Sequence, residues 1–464
     1  MSLAPLFSAM AERAASVMLA AGMTLAPAPA PAPHDAAPLE GTVVTDQVVA
    51  ASEAGAPGAD QLTATAEAAL ADAPGTAHVS IRDLATGEEL TQIADDEPVA
   101  PASSVKVLTA AAVLNELGPE RRLRTWTVLA DEHADGPAEV VLVGGGDALL
   151  GTGASDPDAV SGRAGLSTLA QRTVDGLQRR GVTGEVIVTV DPRLFGGDGR
   201  NPAWADDLYE QGHVSPVRPL ATYGGREEYG TGQDRVEDTA GFAAECFQSA
   251  LADAAEAADA DVDVRVREQV PRTDADRAEV LDAPPLGLVE SATVAEQVAF
   301  MLGHSDNQVA EVLARDAAHL AGEKPAPEGV CRVLVDAADR LRVNTRGLDL
   351  ADASGLAGDN RVTADQLTGV LAAAARSPRL QPVVEALPAP GTDSTLQDRL
   401  VGTAAQDRVQ AKTGTLLDSV SLTGRLRTAS GREVVFSIVL TGIDADVTEA
   451  RDAIDETVVA LAEL

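Results

Sequence analysis

Residues 101–119 most strongly restrict how this chain folds, because they combine a reactive pair of side chains with a strong helix pattern. Ser103 and Lys106 are three residues apart, and an apolar run over residues 107–114 follows. Residues three apart lie one above the other on a helix, so the Lys106 amine can reach the Ser103 hydroxyl. A Gly-Pro pair ends the run. The pattern predicts a helix with a nucleophile and its base in the first turn, although an N-cap serine beside a solvated lysine gives the same short pattern.

Lysine is rare in this chain, and its positions favour the interpretation of Ser103 and Lys106 as a nucleophile and its base. Among 35 Lys and Arg residues the only lysines are Lys106, Lys324 and Lys412. Arginine keeps its proton in proteins, whereas a buried lysine amine can act as a base. Since two of the three lysines lie in candidate motifs, we expect Lys106 and Lys412 to take part in the chemistry.

Two further short motifs carry groups suited to the same chemistry. Ser305 and Asn307 flank one residue, and a turn would aim both side chains the same way for proton relay and amide binding. Lys412, Thr413 and Gly414 lie on a predicted edge strand, where a glycine lets a ligand backbone lie against the strand. Taken singly, S-x-N is also explained as a helix N-cap, and K-T-G as the end of a surface strand.

Composition and charge exclude several classes of function. The net charge is −37 and the pI is near 4.3, so the chain repels nucleic acid and anionic membrane surfaces. Cys246 and Cys331 allow at most one disulfide and match no metal-binding spacing. The sequence therefore predicts no metal, no cofactor and no nucleic-acid partner.

The first residues predict export. Arg13 precedes an apolar run over residues 14–26, which is too short to span a bilayer well, and a Pro/Ala spacer follows at 27–33. This order fits an exported protein of the cell envelope, either released or tethered by its N-terminus, with no further integral membrane domain. A disordered tail is the alternative.

Hydrophobic patterning predicts four parts along the 464-residue chain. A helix and a hairpin precede the Ser103 segment, short strands and helices follow it, and a helical pattern resumes near residue 290 before two apolar strands and a final helix. We therefore expect an α/β (α+β) protein with one or two inserted, mainly β domains. The predicted parts are a signal and linker segment (1–58), the first catalytic part (59–121), the inserted part (122–288) and the second catalytic part (289–464).

In this order, S-x-x-K, S-x-N and K-T-G match the signature of penicillin-binding proteins and serine β-lactamases. The chain resembles the class C low-molecular-mass penicillin-binding proteins, the D-alanyl-D-alanine carboxypeptidase/endopeptidase family, from about residue 75 to the C-terminus. The stretches P-A-S-S-V-K-V-L-T-A, V-G-G-G-D, D-P-R-L-F, D-A-S-G-L, N-R-V-T-A and V-Q-A-K-T-G-T support the resemblance. It implies a transpeptidase-like domain, an antiparallel sheet flanked by helices, with extra domains inserted between the first two motifs.

The resemblance also implies roles for single residues. Ser103 would attack the penultimate D-Ala carbonyl and Lys106 would take its proton, while Ser305 and Asn307 relay protons and bind the substrate amide. Lys412 would support the electrostatics of the site. The substrate carboxylate would bind at Thr413, Gly414 and Thr415, and the oxyanion at the backbone N–H groups of Ser103 and Thr415. The implied partners are peptidoglycan stem peptides and, as covalent inhibitors, β-lactams.

Asp147 follows three glycines, and we consider two roles for it. It would either face the cleft from an inserted domain and bind an amino group of the stem peptide, or be a structural loop carboxylate.

Two other classes of protein share part of the pattern. A class A β-lactamase needs a downstream glutamate for deacylation, and residues 340–352 contain none. A catalytically weak β-lactam sensor or a cell-wall binding protein remains the alternative to an enzyme.

Overall fold

An antiparallel five-stranded sheet joins the two ends of the described chain. The computed structural model describes residues 55–130, 136–230, 234–444 and 447–464. Numbered in chain order and given in spatial order, the strands are β10 (Val409–Thr415), β11 (Ser419–Arg427), β12 (Glu433–Thr441), β1 (Thr76–Asp83) and β2 (Glu89–Ile93). All neighbouring pairs are antiparallel, and β10 forms one edge. The K-T-G motif therefore lies on an edge strand, as the sequence predicts.

Apolar side chains that point alternately to the two sides of the strands give this sheet two buried faces. On β12, Phe436 and Ile438 pack among the residues around α1 (Ala59–Ala69) and α12 (Val447–Ala462), whereas Val435 points to the opposite face. Successive side chains of a strand point to opposite sides, so one strand serves both layers. The sheet is thus held between a terminal helix pair and a larger helical layer.

The larger layer surrounds α2 (Lys106–Leu117), whose residues 107–114 are all buried. Its other helices are α7 (Val294–His304), α8 (Asn307–Leu320), α9 (Pro327–Arg340), α10 (Ala364–Ala375) and α11 (Gln381–Glu385). The predicted helix is therefore present, but it begins with a 3₁₀ turn over Ala102–Val105 rather than with a regular α-helical turn. Ala102 has a φ of 48°, in the left-handed region, so the regular helix begins only at Lys106.

The segment between α2 and α7 forms a second sheet with helices of its own. Its strands, in spatial order, are β8 (Val262–Val264), β6 (Gly184–Asp191), β4 (Ala138–Gly145), β3 (Arg122–Ala130) and β9 (Gly287–Thr293). The remaining elements are a parallel pair, β5 (Asp147–Leu150) with β7 (Leu220–Thr222), and the helices α3 (Leu166–Arg179), α4 (Asp206–Glu210), α5 (Thr239–Ala257) and α6 (Arg277–Asp282). The central strand β4 pairs antiparallel with β3 and parallel with β6. We call residues 122–288 the inserted region, although this predicted end falls inside β9, which continues the second sheet to Thr293.

Features bearing on cell location and redox state are few. Among the described residues, no helix is both long and apolar enough to cross a bilayer. The apolar run at 14–26 and the Pro/Ala spacer lie outside the described residues. Cys246 and Cys331 are both free thiols.

Candidate active site

The Lys106 amine lies at the junction of the sheet, the helical layer and the inserted region. Its Nζ is 2.9 Å from Ser103 Oγ, 2.8 Å from Asn307 Oδ1 and 2.5 Å from the carbonyl oxygen of Ser354. The side chain is fully buried. Two of the predicted motifs therefore meet at one nitrogen.

Burial makes the neutral form of Lys106 more accessible than it is in water. Burial lowers the pKa of the amine to about 8, against the opposing effect of the carboxylates of Asp352, Asp306 and Glu311, while Arg235 lowers it further. A neutral amine has two N–H groups and one lone pair. It can donate to Asn307 and Ser354 and still accept the proton of the Ser103 hydroxyl. This is the arrangement that a general base requires.

The turn that carries Ser103 is held from two sides. Thr109 Oγ1 on α2 donates to the Ala353 carbonyl at 2.6 Å, which ties the helix to the D-A-S-G-L loop. On the other side a Cβ at Gly414 would lie 2.3 Å from Ser421 Oγ and 3.0 Å from both Pro101 O and Ala102 Cβ. The glycine of K-T-G therefore leaves space for the nucleophile turn, and its predicted role of admitting a ligand backbone stays a prediction.

The S-x-N motif forms the turn between α7 and α8. Ser305 has a φ of 55°, and Asp306 caps α8 by accepting a hydrogen bond from Val309 N at 3.0 Å. Asn307 Nδ2 donates to the carbonyl of His213 in the inserted region at 3.0 Å. Because this contact fixes which end of the amide is the donor, Oδ1 is left to face Lys106.

The K-T-G residues lie on β10 beside the nucleophile turn. Lys412 is fully buried and its Nζ donates to Thr413 O at 2.6 Å. Burial, together with the charges of Lys106 and Arg399, lowers the pKa of Lys412 well below its usual value. Thr413 Oγ1 donates to Thr395 Oγ1 at 2.9 Å, and Thr415, the last residue of β10, is exposed.

The residues that hold the D-A-S-G-L loop could not be recognised from the sequence motifs. Asp352 is fully buried and accepts hydrogen bonds from Trp204 Nε1 and Asn360 Nδ2, each at 2.8 Å. Trp204 comes from the inserted region. This loop presents the Ser354 carbonyl to Lys106, and because that acceptor is a backbone atom, the side chain at position 354 gave no signal of it.

The structure does not place Asp147 with the other predicted site residues. The Asp147 carboxylate is only 1% exposed, and it accepts a hydrogen bond from Leu149 N at 2.8 Å. A side chain at the preceding Gly146 would overlap the carboxylate of Asp316, which is on α8, nine residues beyond Asn307 and roughly 13 Å along the helix from it. A carboxylate buried there cannot receive an amine from the cleft, so the structure favours the structural role for Asp147.

Three carboxylates elsewhere lie close enough together to hold a metal ion. Ligand oxygens of Glu89, Asp95 and Asp365 are all within 4.8 Å of one another. However, Arg82 Nη2 contacts Asp365 Oδ1 and lies 3.4 Å from Glu89 Oε1, so a guanidinium already supplies positive charge. We interpret this cluster as a structural ion-pair network.

Gly355→Ala is expected to disrupt the active-site turn. Gly355 has a φ of 78°, and an added Cβ would lie 2.0 Å from Ala102 O and 3.0 Å from Ser103 N. The clash is with backbone, so the Ser103 turn has to move, and we expect a loss of at least about 2 kcal/mol of unfolding free energy together with much slower β-lactam acylation.

Gly358→Ala in the same loop is the matched control, because nothing lies within 4 Å of a Cβ there. Thermal unfolding and labelling by a fluorescent penicillin measure both effects. If the two alanine variants behave alike, the proposed packing between Gly355 and the turn is wrong.

Comparison with solved structures identifies the fold. Penicillin binding protein 4 from Haemophilus influenzae matches with a TM-score of 0.65 over 84% of this chain and 97% of that protein, at 17% identity. A structure of the same protein complexed with a novel β-lactam matches with a TM-score of 0.57. The chain therefore has the penicillin-binding fold, and the predicted fold class is confirmed.

Sequence comparison then gives the family. The D-Ala-D-Ala carboxypeptidase 3 (S13) family matches residues 62–270 and 231–464, and the chain belongs to this family. It is a serine-type carboxypeptidase and a class C low-molecular-mass penicillin-binding protein, as the resemblance of the motifs implies.

Named relatives agree with this assignment. A carboxypeptidase of Mycobacterium tuberculosis is 31% identical over 92% of this chain and 88% of its own length. A carboxypeptidase of Mycolicibacterium smegmatis is 32% identical over 77% of this chain and 75% of its own. A D-alanyl-D-alanine carboxypeptidase of an Actinomadura strain is 29% identical over 78% and 77%.

Proposed function

We propose that this protein removes the terminal D-alanine from peptidoglycan stem peptides, or cleaves related D-amide cross-links, through an acyl group on Ser103. The observation that carries the proposal is the distance of 2.9 Å between Ser103 Oγ and a fully buried Lys106 amine. Membership of the S13 family supports the reaction class.

The first half-reaction follows from this contact. Neutral Lys106 takes the hydroxyl proton while Ser103 Oγ attacks the carbonyl carbon of the penultimate D-Ala. The backbone N–H groups of Ser103 and Thr415 stabilise the oxyanion, and each such donor typically contributes about 3 kcal/mol to lowering the barrier. Their placement is supported by the contact between Ala102 and Gly414, the residues immediately before them. The C–N bond then breaks, and the leaving amine takes a proton relayed through Ser305.

The second half-reaction regenerates the serine. Water attacks the acyl carbon and loses its proton to the base. The ester C–O bond then breaks, Ser103 Oγ takes that proton back from the base, and the shortened peptide is released. Asn307 orients the substrate amide. Lys412 supports the electrostatics of the site, since an incoming carboxylate would favour the protonated form of its buried amine. Thr413 and Thr415 hold that C-terminal carboxylate beside Gly414. The position of these residues along β10 supports this role, since the strand is at the sheet edge.

The same geometry accounts for inhibition by β-lactams. Attack of Ser103 on the lactam carbonyl breaks the ring C–N bond, but the leaving nitrogen stays tethered and blocks water. That penicillin binding protein 4 of Haemophilus influenzae was solved with a β-lactam supports this for the fold.

The rate of acylation is expected to depend on pH through Lys106. Below its pKa of about 8 the amine is protonated and cannot accept the Ser103 proton. The second-order rate constant for β-lactam acylation should therefore fall about tenfold per pH unit below that value. Stopped-flow labelling between pH 6 and pH 10 measures it. A rate that is flat across pH 6–9 would show that another group is the base.

Release of D-alanine tests the proposed function. Purified protein is incubated with diacyl-Lys-D-Ala-D-Ala, and free D-alanine is measured with and without prior exposure to benzylpenicillin. Release that benzylpenicillin blocks supports the proposal. Acylation by benzylpenicillin without any release would instead favour the sensor.

We also propose an organisation and a location for the whole chain. Residues 59–121 and 289–464 form the catalytic part around the inserted residues 122–288, and the protein is exported to the cell envelope through residues 1–58. The function on peptidoglycan supports this location, because the substrate lies outside the cytoplasm. Fractionation of cells that express the full chain tests it.

A further inference from the structure

A buried ion pair joins the inserted region to the S-x-N turn. Asp306, the middle residue of that turn, is 6% exposed. Its Oδ2 atom is 3.1 Å from Arg226 Nη1 and 3.3 Å from Arg235 Nη2, and both arginines belong to the inserted region. The flanking residues Ser305 and Asn307 are both assigned to the active site, so this contact acts directly on its geometry.

Arg235 is firmly held within the inserted region. Its side chain is 5% exposed, its Nε donates to Gly212 O at 2.8 Å, and its Nη1 donates to Gly224 O. Two backbone carbonyls of the inserted region therefore orient the guanidinium, and the third contact is left for Asp306. A planar, permanently charged group with several fixed donors suits such a position.

We propose that Arg235 is a positioning residue of the acylation step: it holds the turn over residues 305–307 against Lys106 and cancels the negative charge of Asp306 there. This rests on the proposed function, because it assumes that Lys106 is the base for Ser103. It gives the inserted region a direct part in the chemistry, in addition to any role in substrate binding.

The charges that face Lys106 come from several elements. They are Asp352 from the D-A-S-G-L loop, Glu311 from α8, Asp306 from its cap, Arg235 from the inserted region and Lys412 from β10. Burial favours the neutral form of Asp306, yet Arg235 and Arg226 hold its pKa below the usual value, so it stays ionised.

The charges of Asp306 and Arg235 therefore shift the pKa of Lys106 in opposite directions. The Asp306 carboxylate favours the ammonium form, and Arg235 opposes it both directly and by neutralising Asp306. Losing Arg235 should favour protonated Lys106, while losing the charge of Asp306 should favour the neutral amine.

The test is the pH dependence of acylation by a fluorescent penicillin, measured for the whole protein. Arg235→Gln should move the midpoint of the acid limb up by about 0.5 to 1 pH unit and slow acylation at pH 7 by about 3- to 10-fold. Asp306→Asn, which keeps a good N-cap residue, should move the midpoint down. The double variant should return close to the wild-type midpoint.

Arg193→Gln is the matched control. Arg193 also belongs to the inserted region, pairs with a buried carboxylate, Asp191, at 2.7 Å, and donates to a backbone carbonyl, that of Ala275, at 2.9 Å. Its loss should leave the midpoint unchanged.

Two results would overturn the proposal: a uniform slowing of Arg235→Gln with no shift of the midpoint, or shifts of the same sign in Arg235→Gln and Asp306→Asn. If Arg235→Gln fails to fold, the test uses Arg235→Lys together with Asp306→Asn. Arg235→Lys keeps the positive charge and should therefore keep the wild-type midpoint. Failure of wild-type labelling, or labelling of Ser103→Ala, would instead refute the proposed function itself, so the two failures are distinguishable.

Discussion

Ser103→Ala is expected to remove D-alanine release from diacyl-Lys-D-Ala-D-Ala, with a loss on the order of 10⁴-fold or more. The reason is that no other hydroxyl can replace the atom that forms the acyl ester. Release is measured with a coupled D-amino acid oxidase assay. The half-buried Ser103 hydroxyl lies 2.9 Å from Lys106 Nζ and 3.5 Å from Ser354 O. Because Lys106 keeps Asn307 and Ser354 as partners without it, the fold should not suffer from its loss.

Ser104→Ala is the matched control for this result. Ser104 is fully buried and its Oγ lies 2.9 Å from Ser421 Oγ, which also donates to Pro101 O at 2.8 Å. Its loss should cost about 1 kcal/mol of unfolding free energy and leave activity largely intact. Activity that survives in Ser103→Ala but not in Ser104→Ala would show that Ser103 is not the nucleophile.

Lys106→Met is expected to lower the acylation rate by about 10²- to 10⁴-fold, the usual contribution of a general base. Methionine fills a similar volume without an amine, so the pocket stays packed while Ser103 loses its proton acceptor. The measurement is the second-order labelling rate with a fluorescent penicillin, together with the unfolding temperature to confirm that the variant is folded.

Lys324→Met provides the control, because Lys324 is the one lysine of the chain outside the motifs. Its side chain is 74% exposed and lies 3.9 Å from Glu328, a surface pair that contributes little. We expect no change in its labelling rate. An equal loss in both lysine variants, or a folded Lys106→Met variant with wild-type kinetics, would contradict the role of Lys106.

Local patterns predicted the parts of the site that depend on local geometry. The three-residue spacing of Ser103 and Lys106 led to the contact between their side chains, although the segment begins as a 3₁₀ turn. The turn at Ser305 and the edge position of β10 also follow from short stretches of sequence. The order of the three motifs led to the resemblance to penicillin-binding proteins and, with it, to the family.

Contacts between distant parts of the chain could not be predicted in this way. The Ser354 carbonyl at Lys106 is a backbone atom, and the pairing of Asp306 with Arg235 joins residues 71 positions apart. For Asp147 the sequence leaves two roles open, and only the packing, which buries β5 beside α8, favours the structural one. Which carboxylates are exposed depends on packing, and one short stretch of sequence does not contain that information.

The most direct test of the account is the intact mass of the protein after incubation with benzylpenicillin, followed by mapping of the modified peptide. We predict one stable adduct per chain, located on the peptide that contains Ser103 and missing in Ser103→Ala. An adduct that persists in Ser103→Ala, or the lack of any adduct in the wild type, would contradict the conclusion that the three motifs form one acyl-serine site.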